Sequence, residues 1–266
     1  MIRDITIGQY YKTDSCIHGL DPRTKIIIAL VYLFSLFLGR NPFTYILAFV
    51  SLILYIGITR IPIKFILKGL KAIWFIMLFT VCINLFTTPG SVLWQWGFLK
   101  VSRVGLQNAI YLGTRLVFMM IGASMMTYTT TPKALTDGME RLFRGLNRWK
   151  IPVYKFAMVM SIALRFIPIL VEELDRIMRA QAARGADFSR GKLKDKLKGV
   201  LPILIPLFVS AIRRADELAM AMDARCYHDG TGRTKMNPLS YRRGDYMAYG
   251  VLLIYLAAMM TLTIMF

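Results

Sequence analysis

No acidic residue occurs between Asp21 and Asp137. Four of the chain's long apolar runs fall in that interval. They therefore offer no carboxylate to bind a proton or sodium ion at mid-membrane, which disfavours ion-coupled secondary transport. Histidine is almost missing: His18 and His228 are too few to build a histidine metal site. Cysteine is scarce and odd in number. Cys16, Cys82 and Cys226 form no CxxC pair, so no disulfide framework is expected. The chain has no GxxxxGK[ST] phosphate loop, which excludes ATP binding of that kind. The stretch Met1 to Lys25 is polar and carries Asp4, Asp14 and Asp21, so no cleaved signal peptide is expected.

What is abundant is grease and positive charge. Of 266 residues, 56% are hydrophobic, and 34 Lys and Arg face 15 Asp and Glu, for a net charge of +19. A mean hydropathy of +0.51 rules out an ordinary soluble domain or a disordered tail. A nucleic-acid-binding protein could be this basic but not this apolar, so no nucleic acid is expected as a partner. Five runs are candidate spans: Thr24 to Leu38, Phe43 to Thr59, Ala72 to Thr88, Val104 to Tyr128 and Tyr246 to Phe266. The first is short, and the turn residues Gly39 and Arg40 complete it near the interface. Trp94 and Trp96, between the third and fourth runs, suit an interfacial belt. Basic residues alternate around these runs: four before the first, Arg40 alone after it, then Arg60, Lys64, Lys68 and Lys71, then Lys100 and Arg103, then 22 in residues 132–243. The positive-inside rule puts the N-terminus and residues 132–243 in the cytoplasm and the C-terminus outside. Arg115 is the one charge deep in a run. It is either a ligand-binding or gating cation, or an arginine facing a protein interior and bonded to backbone carbonyls. The absence of an acidic partner favours the second.

Residues 132–243 fit neither a span nor a soluble domain. Pro132 opens a helix to Leu146, with Asp137 and Glu140 in its early turns. Ile151-Pro152 opens a second helix that runs to Arg184, about 50 Å if continuous. Its first half is apolar, its second half charged, and Pro168 marks the changeover. A basic loop, Arg190 to Lys198, precedes a third helix opening at Leu201-Pro202 with the same plan. The two long helices resemble each other: Ala180, Ala183 and Arg184 recur at constant offset as Ala221, Ala224 and Arg225. An arginine at a helix end can simply satisfy the helix dipole, or it can present its fork of donors to a partner's carboxylate or helix-terminal carbonyls. Two at matched positions favour two similar cytoplasmic partners. Ala211, Ala215 and Ala219 form a small-residue stripe at i, i+4, i+8, and Ala157 and Ser161 a shorter one, which suggests that the two helices cross closely. The bland alternative is helices lying side by side, with alanine present for propensity. Met158, Met160, Met178, Met220 and Met222 suit a surface that packs against varied partners, or ordinary filling.

The segment His18-Gly19-Leu20-Asp21-Pro22-Arg23-Thr24-Lys25 and the run Ala163-Leu164-Arg165-Phe166-Ile167-Pro168, followed by Ala183-Arg184-Gly185, resemble the transmembrane T component of energy-coupling factor transporters, ABC-type importers. The resemblance spreads from about Leu20 to Arg225. It implies a non-catalytic scaffold in a bacterial cell membrane, without a cofactor, belonging to an ATP-driven importer of vitamins or trace metal ions. Two cytoplasmic ATP-binding-cassette ATPases would dock on it, and an exchangeable membrane-embedded substrate-binding subunit would pack on its coupling helices. Carried over residue by residue, Ala183, Arg184 and Gly185 would meet one ATPase, and Ala224, Arg225 and Cys226 the other. Cys226 stands where glycine is usual, which puts weight on the arginine and fits two non-identical ATPases.

The resulting expectation is an all-α integral membrane protein with about five transmembrane helices plus three cytoplasmic or interfacial coupling helices, two of them long and crossing. Residues 1–131 would hold the N-terminal segment and four spans, residues 132–243 the coupling helices, and residues 244–266 the last span. Two other readings compete. One is a secondary transporter. The other is a membrane enzyme acting on lipid head groups, with Asp216, Asp223 and Arg225 holding a metal and a phosphate. The shortage of further carboxylates, Asp229 apart, disfavours the enzyme.

Overall fold

A computed structural model of the chain describes residues 10–39, 41–71, 74–89, 91–96, 99–149, 152–185, 193–227 and 236–265. Among them the helices are α1 (Pro22–Leu38), α2 (Pro42–Thr59), α3 (Ile63–Lys71), α4 (Trp74–Thr87), α5 (Arg103–Thr129), α6 (Pro132–Phe143), α7 (Val153–Ala183), α8 (Leu193–Ala224) and α9 (Arg243–Met265). The strands among the described residues are β1 (Val92–Trp96) and β2 (Leu99–Ser102), which pair antiparallel with Trp96 opposite Leu99. The protein is an all-α integral membrane protein. Among the described residues four helices, α2, α5, α7 and α9, are long and apolar enough to cross a bilayer, and α3 with α4 makes a fifth candidate. At 17 residues α1 sits at the lower limit for a span.

The chain forms two compact units. One comprises residues 8–141 and 239–266, the other residues 142–238. In the first, α1, α2 and α5 share a core of Leu36, Tyr45, Ala48, Leu52 and Phe118. A second cluster joins Ile61, Ile66, Met125 and Tyr128. Lipid is as apolar as leucine, so these contacts rest on close packing rather than on escape from water. Gly122 shows the consequence: a Cβ there would stand 2.8 Å from the Tyr32 ring.

Helix starts follow local chemistry. Asp21 accepts from the Arg23 N–H at 2.9 Å ahead of Pro22, and Ser102 accepts from the Gly105 N–H at 2.8 Å. Three boundaries differ from the sequence reading. Residues 63–71, expected as a charged loop, form α3, because Ile63, Ile66, Leu67 and Leu70 recur at helical spacing. The helix opening at Pro132 gives way to a 3-10 turn, Arg144–Trp149, before reaching Leu146. The third coupling helix begins at Leu193 rather than Leu201, so Pro202 and Pro206 lie inside it. Leu193, Leu197 and Leu201 already carry the apolar repeat ahead of the prolines. The rest of the expected basic loop, residues 190–192, lies outside the described residues, as do Arg40, His228 and Asp229. The expected placement of Trp94 and Trp96 concerns side chains outside the described residues.

Candidate functional site

The two long helices pack on each other antiparallel, and three side-chain contacts mark the pairing in reverse order. The Tyr227 hydroxyl donates to Met158 Sδ at 2.8 Å, Arg214 meets Glu173 at 3.6 Å, and Gln181 Nε2 donates to the Pro202 carbonyl at 3.4 Å. Glu173 is also 3.8 Å from Arg176, so one carboxylate ties two arginines. On α8 the inward positions are Ile203, Leu207, Ser210, Ala211, Arg214, Leu218 and Met222. Ala211 is therefore half-buried, but Ala215 and Ala219 are exposed. The contact with α7 runs along the face next to the alanine stripe rather than along the stripe itself. On α7, Ala157 is buried and Ser161 half-buried.

Both helices end alike. At the end of α7 the Arg184 N–H bonds the Ala180 and Gln181 carbonyls at 3.2 and 3.1 Å, and the Gly185 N–H bonds Ala182 at 3.0 Å. Gly185 has φ +88°. At the end of α8 the Cys226 N–H bonds the Asp223 carbonyl at 2.9 Å, and the Tyr227 N–H bonds Met222 at 3.0 Å. Cys226 has φ +53°. The second pair of bonds is a complete Schellman closure, and the first shows its 5→2 bond. The sequence repeat Ala-Arg-Gly and Ala-Arg-Cys is thus a repeat of one backbone shape: an alanine in the last turn, an arginine at the cap, then a left-handed residue. Ala183, Arg184, Gly185, Ala224, Arg225 and Cys226 are all exposed. The left-handed third residue explains why glycine suits that position, a reason that spacing alone does not reveal.

In the other unit, the segment His18 to Lys25 is a structural knot. The His18 Nδ1 lies 2.7 Å from the Ser15 hydroxyl, and its Nε2 donates to the Tyr11 carbonyl at 3.1 Å. Burial holds the His18 pKa below its usual value. Asp21 grips Arg23 through Nε and NH2 at 3.0 and 2.8 Å, and the guanidinium stacks 3.9 Å over the Tyr241 ring. Burial alone would raise the Asp21 pKa, but its bonds to Arg23 hold it below the ordinary carboxylate range. Lys25 donates to the His18 and Thr129 carbonyls at 3.0 and 2.9 Å. Its ammonium thereby sits on the C-terminal end of α5, where the helix dipole favours a cation. Asp245, 0% exposed, accepts from the Asp21 and Arg242 N–H groups at 2.8 and 2.7 Å. Sequence reasoning missed Asp245 and Tyr241, because the contacts that tie them to the start of α1, with Asp21 and Arg23, span more than 200 positions. The one available signal was an acidic residue in the first turn of the last helix.

Arg115 faces protein. Its guanidinium donates to the Tyr45 hydroxyl at 3.1 and 2.9 Å and to the Gly39 carbonyl at 3.3 Å, and it lies 5.4 Å from the Phe37 ring. Among the described residues no three of His, Cys, Asp and Glu gather to hold a metal, and Asp216 and Asp223 are exposed.

The family described as cobalt transport protein, CbiQ, matches residues 13–236. Several curated proteins named energy-coupling factor transporter transmembrane protein EcfT are similar over nearly the whole chain. That of Ruminiclostridium cellulolyticum is 48% identical over 256 residues, 96% of each chain. That of Acidaminococcus fermentans is 47% identical over 253 residues, 95% of this chain and 94% of the relative. That of Bacillus subtilis is 45% identical over 261 residues, 98% of each.

Proposed function

Because the chain belongs to the family of energy-coupling factor transporter transmembrane proteins, we propose that it is the non-catalytic scaffold of an ATP-driven importer of vitamins or other micronutrients. It is a membrane component of such a transporter. In this reading two cytoplasmic ATP-binding-cassette ATPases dock on the ends of α7 and α8, and a membrane-embedded substrate-binding subunit packs on those helices. The observation that carries the reading is the matched cap: two exposed arginines, Arg184 and Arg225, each followed by a residue with left-handed backbone. Such a cap leaves the guanidinium at a helix end, where a partner's carboxylate or carbonyls can take its fork of donors. That one motif ends in Gly185 and the other in Cys226 suits two non-identical ATPases.

The positive-inside rule supports a cytoplasmic N-terminus and cytoplasmic residues 132–243, with the C-terminus outside. Residues 1–131, 132–243 and 244–266 then serve as membrane anchor, coupling segment and closing span. With α8 turning its neighbouring face to α7, the stripe Ala211, Ala215 and Ala219 gives its exposed part to close packing with another chain of the complex rather than to a crossing within this one. Gentle purification of the tagged chain tests the reading: two ATPases and a small, very apolar membrane protein should accompany it. Isolation of the chain alone from its native membrane, with active transport persisting elsewhere, would overturn it.

A further inference from the structure

Beside the end of α2, the N-terminal segment borders an open cavity of about 710 Å³, a surface cleft that docking of ATPases or a substrate subunit does not explain. Its lining includes Lys12, Thr13, Ser15, Gly57, Ile58 and Arg60. Lys12 and Arg60 supply two cations, and Thr13 and Ser15 supply hydroxyl donors. Asp14 also lines it and opposes one cation, so the balance is two positive charges against one negative. Gly57 leaves room on the helix side, with nothing within 4 Å of where its Cβ would stand. Ile58 belongs both to this wall and to an apolar stripe. Ile46, Val50, Leu54 and Ile58 recur every fourth residue along α2 and are between 47% and 61% exposed. The stripe is about 18 Å long at 1.5 Å per residue. That is a little over half of a hydrocarbon core of about 30 Å. A polar, cationic cavity thus opens at the foot of an apolar track as long as one acyl chain.

We propose that this cavity holds the phosphate headgroup of an anionic phospholipid, with an acyl chain lying along Ile58, Leu54, Val50 and Ile46. Basic pockets at the ends of spans take lipid phosphates for this reason: the cations meet the charge while the adjoining helix face meets the tail. A free phosphate or nucleotide would use the cavity alone and gain nothing from the stripe. The exposed lysines Lys64 and Lys68 of α3 lie on another element and attract anionic surfaces only diffusely, which makes them the control.

The test is native mass spectrometry of the full-length protein released from detergent micelles. It is titrated separately with phosphatidylglycerol, with phosphatidylcholine of the same acyl chains, and with inorganic phosphate. Phosphatidylglycerol should bind preferentially, and Lys12→Gln with Arg60→Gln should weaken it by about fivefold per cation removed. Gly57→Leu, which fills the cavity without changing charge, should weaken it too, and it carries the test alone if the double variant does not fold. Lys64→Gln with Lys68→Gln should leave binding within about twofold, because neither lysine lines the cavity and exposed charges away from it are screened by salt. Equal binding of the two lipids, unchanged binding in both cavity variants, or inorganic phosphate binding as tightly as the lipid would each overturn the proposal.

Discussion

Gly185 and Cys226 hold the same place at the ends of α7 and α8: each follows the capping arginine, and each has left-handed backbone, at φ +88° and +53°. Glycine holds that conformation without cost, whereas a residue with a Cβ is strained by about 1 kcal/mol. Cys226→Gly should therefore stabilise the protein by about that amount, and Gly185→Ala should destabilise it similarly. No atom lies within 4 Å of a Cβ at Gly185, so the loss there would be backbone strain alone. Thermal unfolding followed by helical signal in detergent measures both. A lower midpoint for Cys226→Gly would show that strain does not dominate at that cap.

Asp245 is the acceptor that fixes the start of α9 to the start of α1. Asp245→Ala leaves the Asp21 and Arg242 N–H groups without their partner and should cost about 2–4 kcal/mol. Asp245→Asn keeps one acceptor oxygen and should cost less. Hydrogen exchange at the Asp21 and Arg242 amides should accelerate in the alanine variant, and unchanged exchange would remove Asp245 from this role.

His18 carries a pH signature. Burial lowers its pKa below the usual 6.5, with the Lys25 charge acting in the same direction and the Tyr11 carbonyl and Asp14 against it. The folded protein thus prefers neutral His18, while the unfolded chain takes up a proton first. The stability from this group is complete above the unfolded value of about 6.5 and is lost as pH falls toward the lower folded value. Unfolding midpoints should drop between pH 7.5 and 5.5 in the wild-type protein, with a flatter profile for His18→Gln. An identical slope in both would contradict the assignment.

Arg115 ties α5 to α2 through Tyr45 and to the end of α1 through Gly39. Arg115→Leu should lower stability by about 1–3 kcal/mol. Transport per folded complex should stay within about twofold, as for a change confined to stability. Unchanged stability with abolished transport would instead make Arg115 a ligand-binding or gating cation.

Much of this was legible from spacing. The four expected runs that became α1, α2, α5 and α9 lie within three residues of the observed helices, because apolar content and Gly or Pro punctuation set those boundaries locally. The repeat of Ala-Arg at constant offset located both helix caps. Other features were hidden for physical reasons. The amphipathic α3 is short and cationic, so a count of basic residues read it as loop. The prolines of α8 suggested a helix start that the apolar repeat overrides. The alanine stripe suggested the α7 contact, but only Ala211 of the stripe is half-buried, and the inward face of α8 is otherwise made by residues such as Ile203, Leu207, Leu218 and Met222. Asp245 with Asp21, and Lys25 with Thr129, are pairs that only the folded chain brings together.

The central claim, that Arg184 and Arg225 each dock an ATPase, is tested most directly by affinity purification of the tagged chain carrying Arg184→Glu with Arg225→Glu, with retained ATPases quantified against wild type. Charge reversal at both ends turns attraction into repulsion, so the variant should retain at least about tenfold less of both ATPases while the chain itself stays folded in the membrane. A double variant that retains both ATPases at the wild-type ratio would contradict the account.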